Sequence, residues 1–409
     1  MSVELIDSEG NTFANAVRYD GRNELKIDIS GNGIDLGISE NFIRLARLKL
    51  EPFEDGALLS DARAAQFFCW SDCQVLPENR NCPMSSFPPL SDVSPRSLIV
   101  HAAESWYQDV ASGRFDFFEK LGAKAHAEGM ATALVAADSP TSAKLFLDQS
   151  HVHILIGPRL PIRPGILHAH PGYLRGFWYL DPVGVNMGSS LCQRSFQPDK
   201  IDAKTARFFF NGVTGWNLRR NISKFPQNPR SNLPAAFATV FLQDIEQFAS
   251  PVHYIDSLKI LKLVAREADG ARVYVKLHPA QRTETTAQIQ AVARKTANLV
   301  ISDASIHDLT AASQMVVTQN SAAGFEALMQ KKPVITCAEC DYHHATVVAK
   351  RPALLVRALR NVPMLQVEFD YEKYLYWFLA LNLLEPAKPE FADLAWARVK
   401  TALTNGQSL

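Results

Sequence analysis

Polar side chains that could hold a phosphate or a sugar follow several apolar segments in the second half of the sequence. Gln243 follows ATVFL, His278 comes just after VYVK, and Asn320 closes the run QMVVTQN. In open parallel sheets, ligands bind beyond the carboxyl ends of the strands, so we expect these side chains to meet at one edge. The nucleotide site predicted there comprises Gln243, Lys276, His278, Pro279, Gln319, Asn320, Ser321, Gly324 and Glu326.

The segment SAAGFEALMQ carries the clearest signal for a phosphate. It begins a predicted helix with Ser321, two alanines and Gly324. Small residues at a helix N-terminus let backbone N–H groups approach an anion, which the helix dipole also favours. Glu326 could then accept the hydroxyls of a ribose. The alternative is that Ser321 is an ordinary N-cap and Glu326 an ordinary first-turn acid.

Histidines mark two neighbouring positions at the same predicted edge. His278 in KLHP could donate to a phosphate or sugar oxygen, and Pro279 would fix the turn that presents it. The sequence CDYHHAT places His344 after the next strand, as a further candidate for the substrate. Each could equally be a histidine with a purely structural role.

The elements that must position these residues alternate between strands and helices. Residues 235–336 contain the strands ATVFLQ, RVYVKLHP, NLVISD, QMVVTQ and KPVIT, separated by helical segments such as IDSLKILKLVAREA. Near-continuous apolar strands between amphipathic helices indicate a parallel sheet covered on both faces. We therefore predict a Rossmann-like lobe.

A second αβ lobe is predicted from SLIVHA, MATALVAA and HVHILIG, with the helix FDFFEKLGAKAHAEG between the first two strands. The expected fold is α/β, with two Rossmann-like lobes and a central cleft. The predicted units are residues 1–90 (a small β element and an irregular segment), 91–235 (the acceptor-side lobe), 236–365 (the nucleotide lobe) and 366–409 (C-terminal helices packing across the lobes).

Bulk properties exclude several classes of protein. The chain has 409 residues, with 42 Lys and Arg against 42 Asp and Glu, so nothing suggests a nucleic-acid partner. The N-terminus lacks a basic start and an apolar core, and no apolar run is long enough to span a bilayer, which predicts a cytoplasmic protein. His151, His153, His168 and His170 alternate as in a strand and lack carboxylate or cysteine partners, so we predict no metal.

Three motifs together resemble the capsule polysaccharide biosynthesis family of bacterial glycosyltransferases. They are KLHP, then S-x-x-G-F-E-A-L beginning at Ser321, then KPVIT. A fourth segment, HPGYLRGFWYLDPVGVNMGSS, is similar to that family's G-[FY]-L-R and D-x-x-G region. This sequence departs from the family where His170 stands in place of an expected acid.

The resemblance implies a GT-B-like architecture and a retaining β-Kdo transferase that uses CMP-β-Kdo as donor without a metal or other cofactor. Retention by double displacement requires a carboxylate nucleophile and an acid–base group. Asp181 matches the acid of D-x-x-G and is the predicted nucleophile, and Glu104, which follows SLIVHA, is the predicted acid–base. The alternatives are an ordinary Asp-Pro turn and a first-turn helix acid.

Basic residues are predicted to contact the substrates. Arg175 lies in the G-[FY]-L-R segment, and Arg219 and Lys224 lie in GWNLRRNISKFPQ, interpreted as a basic segment near the junction of the lobes. One of these could neutralise the carboxylate of the donor sugar. A solvated basic loop is the alternative for any single residue.

The predicted function is transfer of Kdo to a saccharide or glycolipid acceptor in lipopolysaccharide O-antigen or capsule synthesis. The enzyme would be cytoplasmic and could associate peripherally with the inner membrane or with other glycan-assembly enzymes. The same fold also serves epimerases and sialyl- or polyol-phosphate transferases, and a non-catalytic scaffold that binds a nucleotide sugar is a further alternative.

Overall fold

A computed structural model describes most of the chain. It covers residues 86–90, 96–157, 163–248, 251–365 and 369–407, together with four short strands between residues 5 and 28. Those strands are β1 (Leu5–Ile6), β2 (Thr12–Ala14), β3 (Ala16–Tyr19) and β4 (Leu25–Asp28). They form two antiparallel pairs, β1 with β2 and β3 with β4. Most of the irregular segment predicted between Glu51 and Pro95 lies outside the described residues.

The first lobe is built on a five-stranded sheet. Its strands are β5 (Leu98–Ala102), β6 (Thr132–Ala136), β7 (Val152–Ile156), β8 (Ile166–Pro171) and β9 (Trp178–Asp181), in the order β6-β5-β7-β8-β9. The first four are parallel, and β9 runs antiparallel to β8. Its helices are α1 (Glu104–Ala111), α2 (Asp116–Ala127) and α3 (Pro140–Leu145).

The second lobe contains a six-stranded parallel sheet. Its strands are β10 (Ala236–Phe241), β11 (Val273–Lys276), β12 (Leu299–Ile301), β13 (Ser313–Thr318), β14 (Val334–Thr336) and β15 (Val347–Val348), in the order β12-β11-β10-β13-β14-β15. The chain first builds outward from β10 to β12 and then resumes beside β10 with β13. This reversal of strand order creates a crevice at the carboxyl ends of β10 and β13, which is where open α/β sheets bind ligands.

Helices cover both sheets, and further helices come after the last strand of the second sheet in the chain. After α4 (Ala203–Arg219) they are α5 (Ser257–Glu267), α6 (Thr283–Arg294), α7 (Ile306–Ala312), α8 (Ala322–Ala327), α9 (Pro352–Leu365), α10 (Tyr371–Leu375) and α11 (Phe391–Gln407). Short 3-10 turns lie at Asn186–Gly188, Ser190–Gln193, Pro198–Lys200, Leu328–Gln330 and His343–Ala345, and a π-helical segment at Tyr376–Asn382. No helix of the described residues is long and apolar enough to cross a membrane.

One of the three large apolar cores joins the two lobes. It contains Tyr173 and Phe177 of the first lobe, Phe325 and Tyr342 of the second, and Phe378 of the C-terminal segment. Tyr173 stacks on Phe325 with ring centroids 5.1 Å apart. The other two cores lie within the individual lobes, and α11 packs on the first of them. The lobes therefore share buried apolar surface in addition to a cleft.

A buried carboxylate reinforces the contact between the lobes. Asp341, which follows β14, accepts hydrogen bonds from the hydroxyls of Tyr173 at 2.7 Å, Tyr179 at 2.8 Å and Ser189 at 2.8 Å. All three donors belong to the first lobe. Burial raises the pKa of Asp341, while the three hydroxyl donors favour its ionised form.

The α/β fold class with two parallel-sheet lobes is confirmed. The basic segment GWNLRRNISKFPQ is divided by the end of a helix, because its residues 215–219 form the last turn of α4. Asp202 caps this helix by accepting a hydrogen bond from the backbone N–H of Thr205 at 2.7 Å. At its other end, α4 continues to Arg219, and the loop begins after that residue.

Candidate functional site

A cavity of about 340 Å³ lies at the crevice between β10 and β13. The second lobe supplies most of its wall, and the first lobe closes one side. The lining residues that carry the argument are Tyr173, Asn186, Met187, Ser223, Lys224, Gln243, Lys276, His278, Pro279, Asp303, Asn320, Ser321 and Glu326. Seven of the nine residues predicted to bind the nucleotide are among the lining residues, namely Gln243, Lys276, His278, Pro279, Asn320, Ser321 and Glu326.

His278 lines the cavity as a neutral hydrogen-bond donor. Its Nδ1 accepts the backbone N–H of Ala280 at 3.2 Å, so the neutral ring carries its proton on Nε2. Burial, and then the positive charge of Lys224, lower the pKa of His278 to about 4. At neutral pH the ring can therefore donate from Nε2 without carrying a positive charge.

The turn that carries His278 is tied to the loop after β10. Asp244 is fully buried and accepts hydrogen bonds from Arg282, at 2.6 Å from Nε and 2.9 Å from Nη2. It also accepts the backbone N–H of Arg282 at 3.1 Å and the hydroxyl of Thr285 at 3.2 Å. This ion pair fixes the end of the turn four residues beyond His278.

Ser321 lines the cavity and also caps α8. Its Oγ accepts the backbone N–H of Ala323 at 3.3 Å, as an N-cap does. A hydroxyl that accepts in this way still has its own proton to donate. Next to it, the backbone N–H of Asn320 donates to Oε1 of Gln243 at 3.2 Å, which joins the ends of β13 and β10.

Glu326 is a buried carboxyl group in the wall of the cavity. Its Oε1 accepts the hydroxyl of Ser223 at 2.8 Å, and the backbone N–H of Lys224 also donates to the carboxyl group. Burial raises the pKa of Glu326 to about 8. The group is therefore mostly protonated near neutral pH, and it can both donate and accept a hydrogen bond.

Two of the nine predicted nucleotide ligands do not line the cavity. Gln319 donates to Glu246 Oε1 at 2.9 Å and to the carbonyl of Ile255 at 3.1 Å. At Gly324, a Cβ would lie 2.7 Å from Cγ2 of Thr318 and 2.9 Å from the hydroxyl of Tyr342. Gly324 is thus required for packing of α8 against the sheet, whereas we had assigned it to the approach of a phosphate.

Asp181 does not line the cavity, and its carboxylate is fully engaged by the following loop. Oδ1 accepts the backbone N–H groups of Val183 at 2.8 Å, Gly184 at 3.1 Å and Ser190 at 3.1 Å. Oδ2 accepts the hydroxyl of Ser190 at 2.5 Å. The loop held in this way supplies Asn186 and Met187 to the cavity wall.

Among the four predicted substrate contacts, only Lys224 lines the cavity. Arg175 and Arg219 are exposed on the surface. His344 bonds through Nε2 to the carbonyl of Arg194 at 2.7 Å and contacts the ring of Trp377. Glu104, the predicted acid–base, is exposed in the first turn of α1 at the carboxyl end of β5.

The histidines considered for a metal site are bonded within the first lobe. His153 Nδ1 lies 2.9 Å from Nε2 of His101, and His151 Nδ1 accepts the backbone N–H of Ser97 at 3.1 Å. His170 Nδ1 lies 2.6 Å from the carbonyl oxygen of its neighbour Pro171. Within the described ranges, no group of three or more His, Cys, Asp or Glu could hold a metal ion. Independence of metal stays a prediction.

Several lining residues were not predicted from the sequence. Asp303 follows β12 at the carboxyl edge of the sheet. The rule that ligands bind beyond the carboxyl ends of strands, which selected His278, would also have selected Asp303. Lys276 donates from Nζ to the carbonyl oxygens of Asp303 at 2.9 Å and Ala304 at 2.6 Å, which fixes this side of the wall. Tyr173 and Asn186 come from the other lobe, and no local pattern indicates that they face the cavity.

Residues 243–371 match the model of a family described as capsule polysaccharide biosynthesis protein. The matched range contains the KLHP turn, α8 and Glu326, so the resemblance predicted from the motifs is confirmed. No curated protein matches the sequence of this chain.

Comparison with solved structures finds matches at low identity. The β-Kdo 2,7-transferase KpsC of Thermosulfurimonas dismutans is 14% identical, with a TM-score of 0.47, over 75% of this chain and 99% of that one. The β-Kdo 2,4-transferase KpsC of the same organism is 16% identical, with a TM-score of 0.45, over 74% and 98%. A UDP-GlcNAc 2-epimerase of Methanocaldococcus jannaschii is 10% identical, with a TM-score of 0.32, over 75% and 99%.

Proposed function

We propose that this chain, whose residues 243–371 match the model of the capsule polysaccharide biosynthesis family, is a glycosyltransferase that transfers Kdo from CMP-β-Kdo to a saccharide acceptor. The observation that carries the proposal is the cavity at the crevice between β10 and β13. It brings together His278, Ser321 and Glu326, all three of which fall within the matched range. Such a crevice is the usual ligand site of an open α/β sheet.

The donors at the cavity suit the phosphate of CMP. His278 Nε2 and the Ser321 hydroxyl can both donate to phosphate oxygens, and hydrogen bonds to a charged acceptor are stronger than those between neutral groups. Protonated Glu326 can donate to one ribose hydroxyl and accept from the other. A cytosine could pack on Phe225 or Phe248, which also line the cavity.

Lys224 suits the carboxylate of the donor sugar. Lys224 lines the cavity, carries a positively charged ammonium group and lies in the loop that joins α4 to the second lobe. Because CMP-β-Kdo carries a sugar carboxylate as well as a phosphate, a nearby ammonium would offset part of that negative charge. Arg175, Arg219 and His344 would have to contact the acceptor if they bind a substrate at all.

Retention through a carboxylate nucleophile is the second part of the proposal, with Asp181 and Glu104 as its candidate residues. Turnover would need no metal. Since the four hydrogen bonds of Asp181 hold the loop of Asn186, this carboxylate has a positioning role whether or not it attacks the sugar. The acceptor would be a saccharide or glycolipid of a capsule or of lipopolysaccharide.

The test is calorimetric binding of CMP to the wild type and to the double variant His278→Ala, Ser321→Ala. We expect the double variant to bind CMP at least about a hundredfold more weakly, since each of the two lost hydrogen bonds to a charged group costs about 1.5–3 kcal/mol. His253→Ala is the matched control, because His253 lies in the same lobe but bonds to Asp256 outside the cavity.

Unchanged CMP affinity in the double variant would show that the nucleotide site lies elsewhere. UDP and CDP are the comparison ligands. Tighter binding of UDP or CDP than of CMP would favour an epimerase or a polyol-phosphate transferase over a Kdo transferase. Product formation from CMP-Kdo generated in place, with a panel of glycoside acceptors, would then separate an enzyme from a scaffold that only binds the nucleotide sugar.

A further inference from the structure

Helix α4 exposes two large aromatic side chains on its outer face. Phe208 is 83% exposed and Trp216 is 52% exposed. They are eight residues apart, which is about 12 Å along a helix and about 80° around it, so both lie within one broad face. The inner face of the helix is buried through Ala206, Phe210 and Asn217. Single exposed apolar residues are common, whereas two large aromatic rings exposed on one face of the same helix form a candidate interaction surface.

The segment of the chain that carries these rings is basic. From residue 203 to residue 243 the chain has six Lys or Arg and no Asp or Glu, although its overall formal charge is zero. Arg207 pairs with Glu372, and Arg230 pairs with Asp308. The exposed cations Lys204, Arg219 and Arg220 flank the two aromatic rings.

These three cations have no partner acid among the residues that the structure describes, since every recorded ion pair involves other side chains. The Arg220 guanidinium lies 3.7 Å from the centre of the Trp216 ring. This contact holds a positive charge directly beside an exposed indole. We call the surface formed by Lys204, Phe208, Trp216, Arg219 and Arg220 the α4 face.

We propose that the α4 face docks on the surface of a bilayer that contains anionic lipids. Aromatic rings insert at the boundary between headgroups and acyl chains, and Lys and Arg beside them attract anionic headgroups. A soluble polyanion would account for the cations but would gain nothing from Phe208. An apolar protein surface would account for the rings but would leave three cations without partners.

Docking through this face would bring the cavity close to the membrane. The chain leaves α4 at Arg219 and reaches the lining residues Ser223, Lys224 and Phe225 within six residues. Six residues span at most about 20 Å even when fully extended. A membrane-bound acceptor would then need to rise only a short distance to reach the site.

The test is flotation of the full chain with lipid vesicles, without any nucleotide. We expect binding to vesicles of phosphatidylcholine mixed with phosphatidylglycerol, weakening with added salt, and no binding to phosphatidylcholine alone. The variant Lys204→Gln, Arg219→Gln, Arg220→Gln should bind roughly a hundredfold more weakly, since each cation near such a surface contributes about fivefold. The variant Phe208→Ser, Trp216→Ser should also lose at least about tenfold.

Two matched controls should leave vesicle binding unchanged. Lys259→Gln with Lys262→Gln removes exposed cations from α5, and Leu394→Ser removes an exposed apolar side chain from α11. Thermal unfolding of each variant checks that its fold is intact.

Three results would overturn the proposal. They are failure of the wild type to bind the anionic vesicles, equal binding to neutral vesicles, and loss of binding in the charge variant but not in the aromatic variant. The third result would show that vesicle binding is only a general attraction between opposite charges. Because the assay contains no CMP, its failure is distinct from failure of the proposed donor site.

Discussion

Replacing Arg282 by methionine should destabilise the protein by leaving a buried carboxylate without its main partner. Asp244 is 0% exposed and would keep only the Arg282 backbone N–H and the Thr285 hydroxyl as donors. Removing one partner of a buried ion pair costs about 3–5 kcal/mol. Because the Arg282 side chain is 39% exposed and water can replace part of it, we expect about 2–4 kcal/mol.

Urea denaturation of the wild type and of Arg282→Met measures this cost directly. Arg360→Met is the matched control, because its ion pair with Glu267 has an arginine side chain that is 66% exposed, and its loss should cost less than about 1 kcal/mol. The double variant Asp244→Asn, Arg282→Met should lose less stability than Arg282→Met alone, since no unpaired charge remains. A loss below about 1 kcal/mol in Arg282→Met, or simple additivity in the double variant, would refute the reasoning.

Three further predictions follow from the site. Asp181→Asn should lower the free energy of unfolding, the affinity for CMP and the turnover together, because an amide nitrogen cannot accept the hydrogen bonds that the loop donates to the carboxylate. A loss of about a thousandfold in turnover, with stability and CMP affinity unchanged, would instead identify Asp181 as a nucleophile. Burial raises the pKa of Glu326 to about 8, so the protein takes up a proton on folding. The free energy of unfolding should therefore fall as the pH rises from the ordinary carboxyl pKa to about 8. Glu326→Gln should flatten this dependence of unfolding on pH, and an unchanged dependence would contradict the raised pKa. Gly324→Ala should cost about 1–3 kcal/mol in urea denaturation, since its Cβ would lie 2.7 Å from Thr318 Cγ2, and a neutral result would show that the helix can shift.

Five of the six strands of the second sheet could be predicted from the sequence, because each is a short apolar run between helical segments, whereas β15 has only two residues and was not predicted. The rule that ligands lie beyond the carboxyl ends of such strands then placed Gln243, His278 and Ser321 at one cavity. It also selected Gln319, whose side chain turns away toward Glu246 and Ile255. Position after a strand predicts the edge of the sheet but not the direction of each side chain.

Helix α4 and the first-lobe wall of the cavity could not be predicted in the same way. Phe208 and Trp216 fall on the solvent side of α4, so its apolar residues do not form one stripe on the buried face. Tyr173 and Asn186 reach the cavity only because the lobes pack against each other. Such contacts depend on tertiary structure, which local spacing does not encode.

The apolar core that joins the lobes limits how this protein can be recombined. Exchange of one lobe for that of another protein would separate groups that meet in this core. Here Asp341 of the second lobe depends on the hydroxyls of Tyr173, Tyr179 and Ser189 in the first. A chimera cut between α4 and β10 would leave that carboxylate facing foreign side chains. Exchange should therefore succeed only when the first-lobe hydroxyls and the C-terminal segment are carried over as one set.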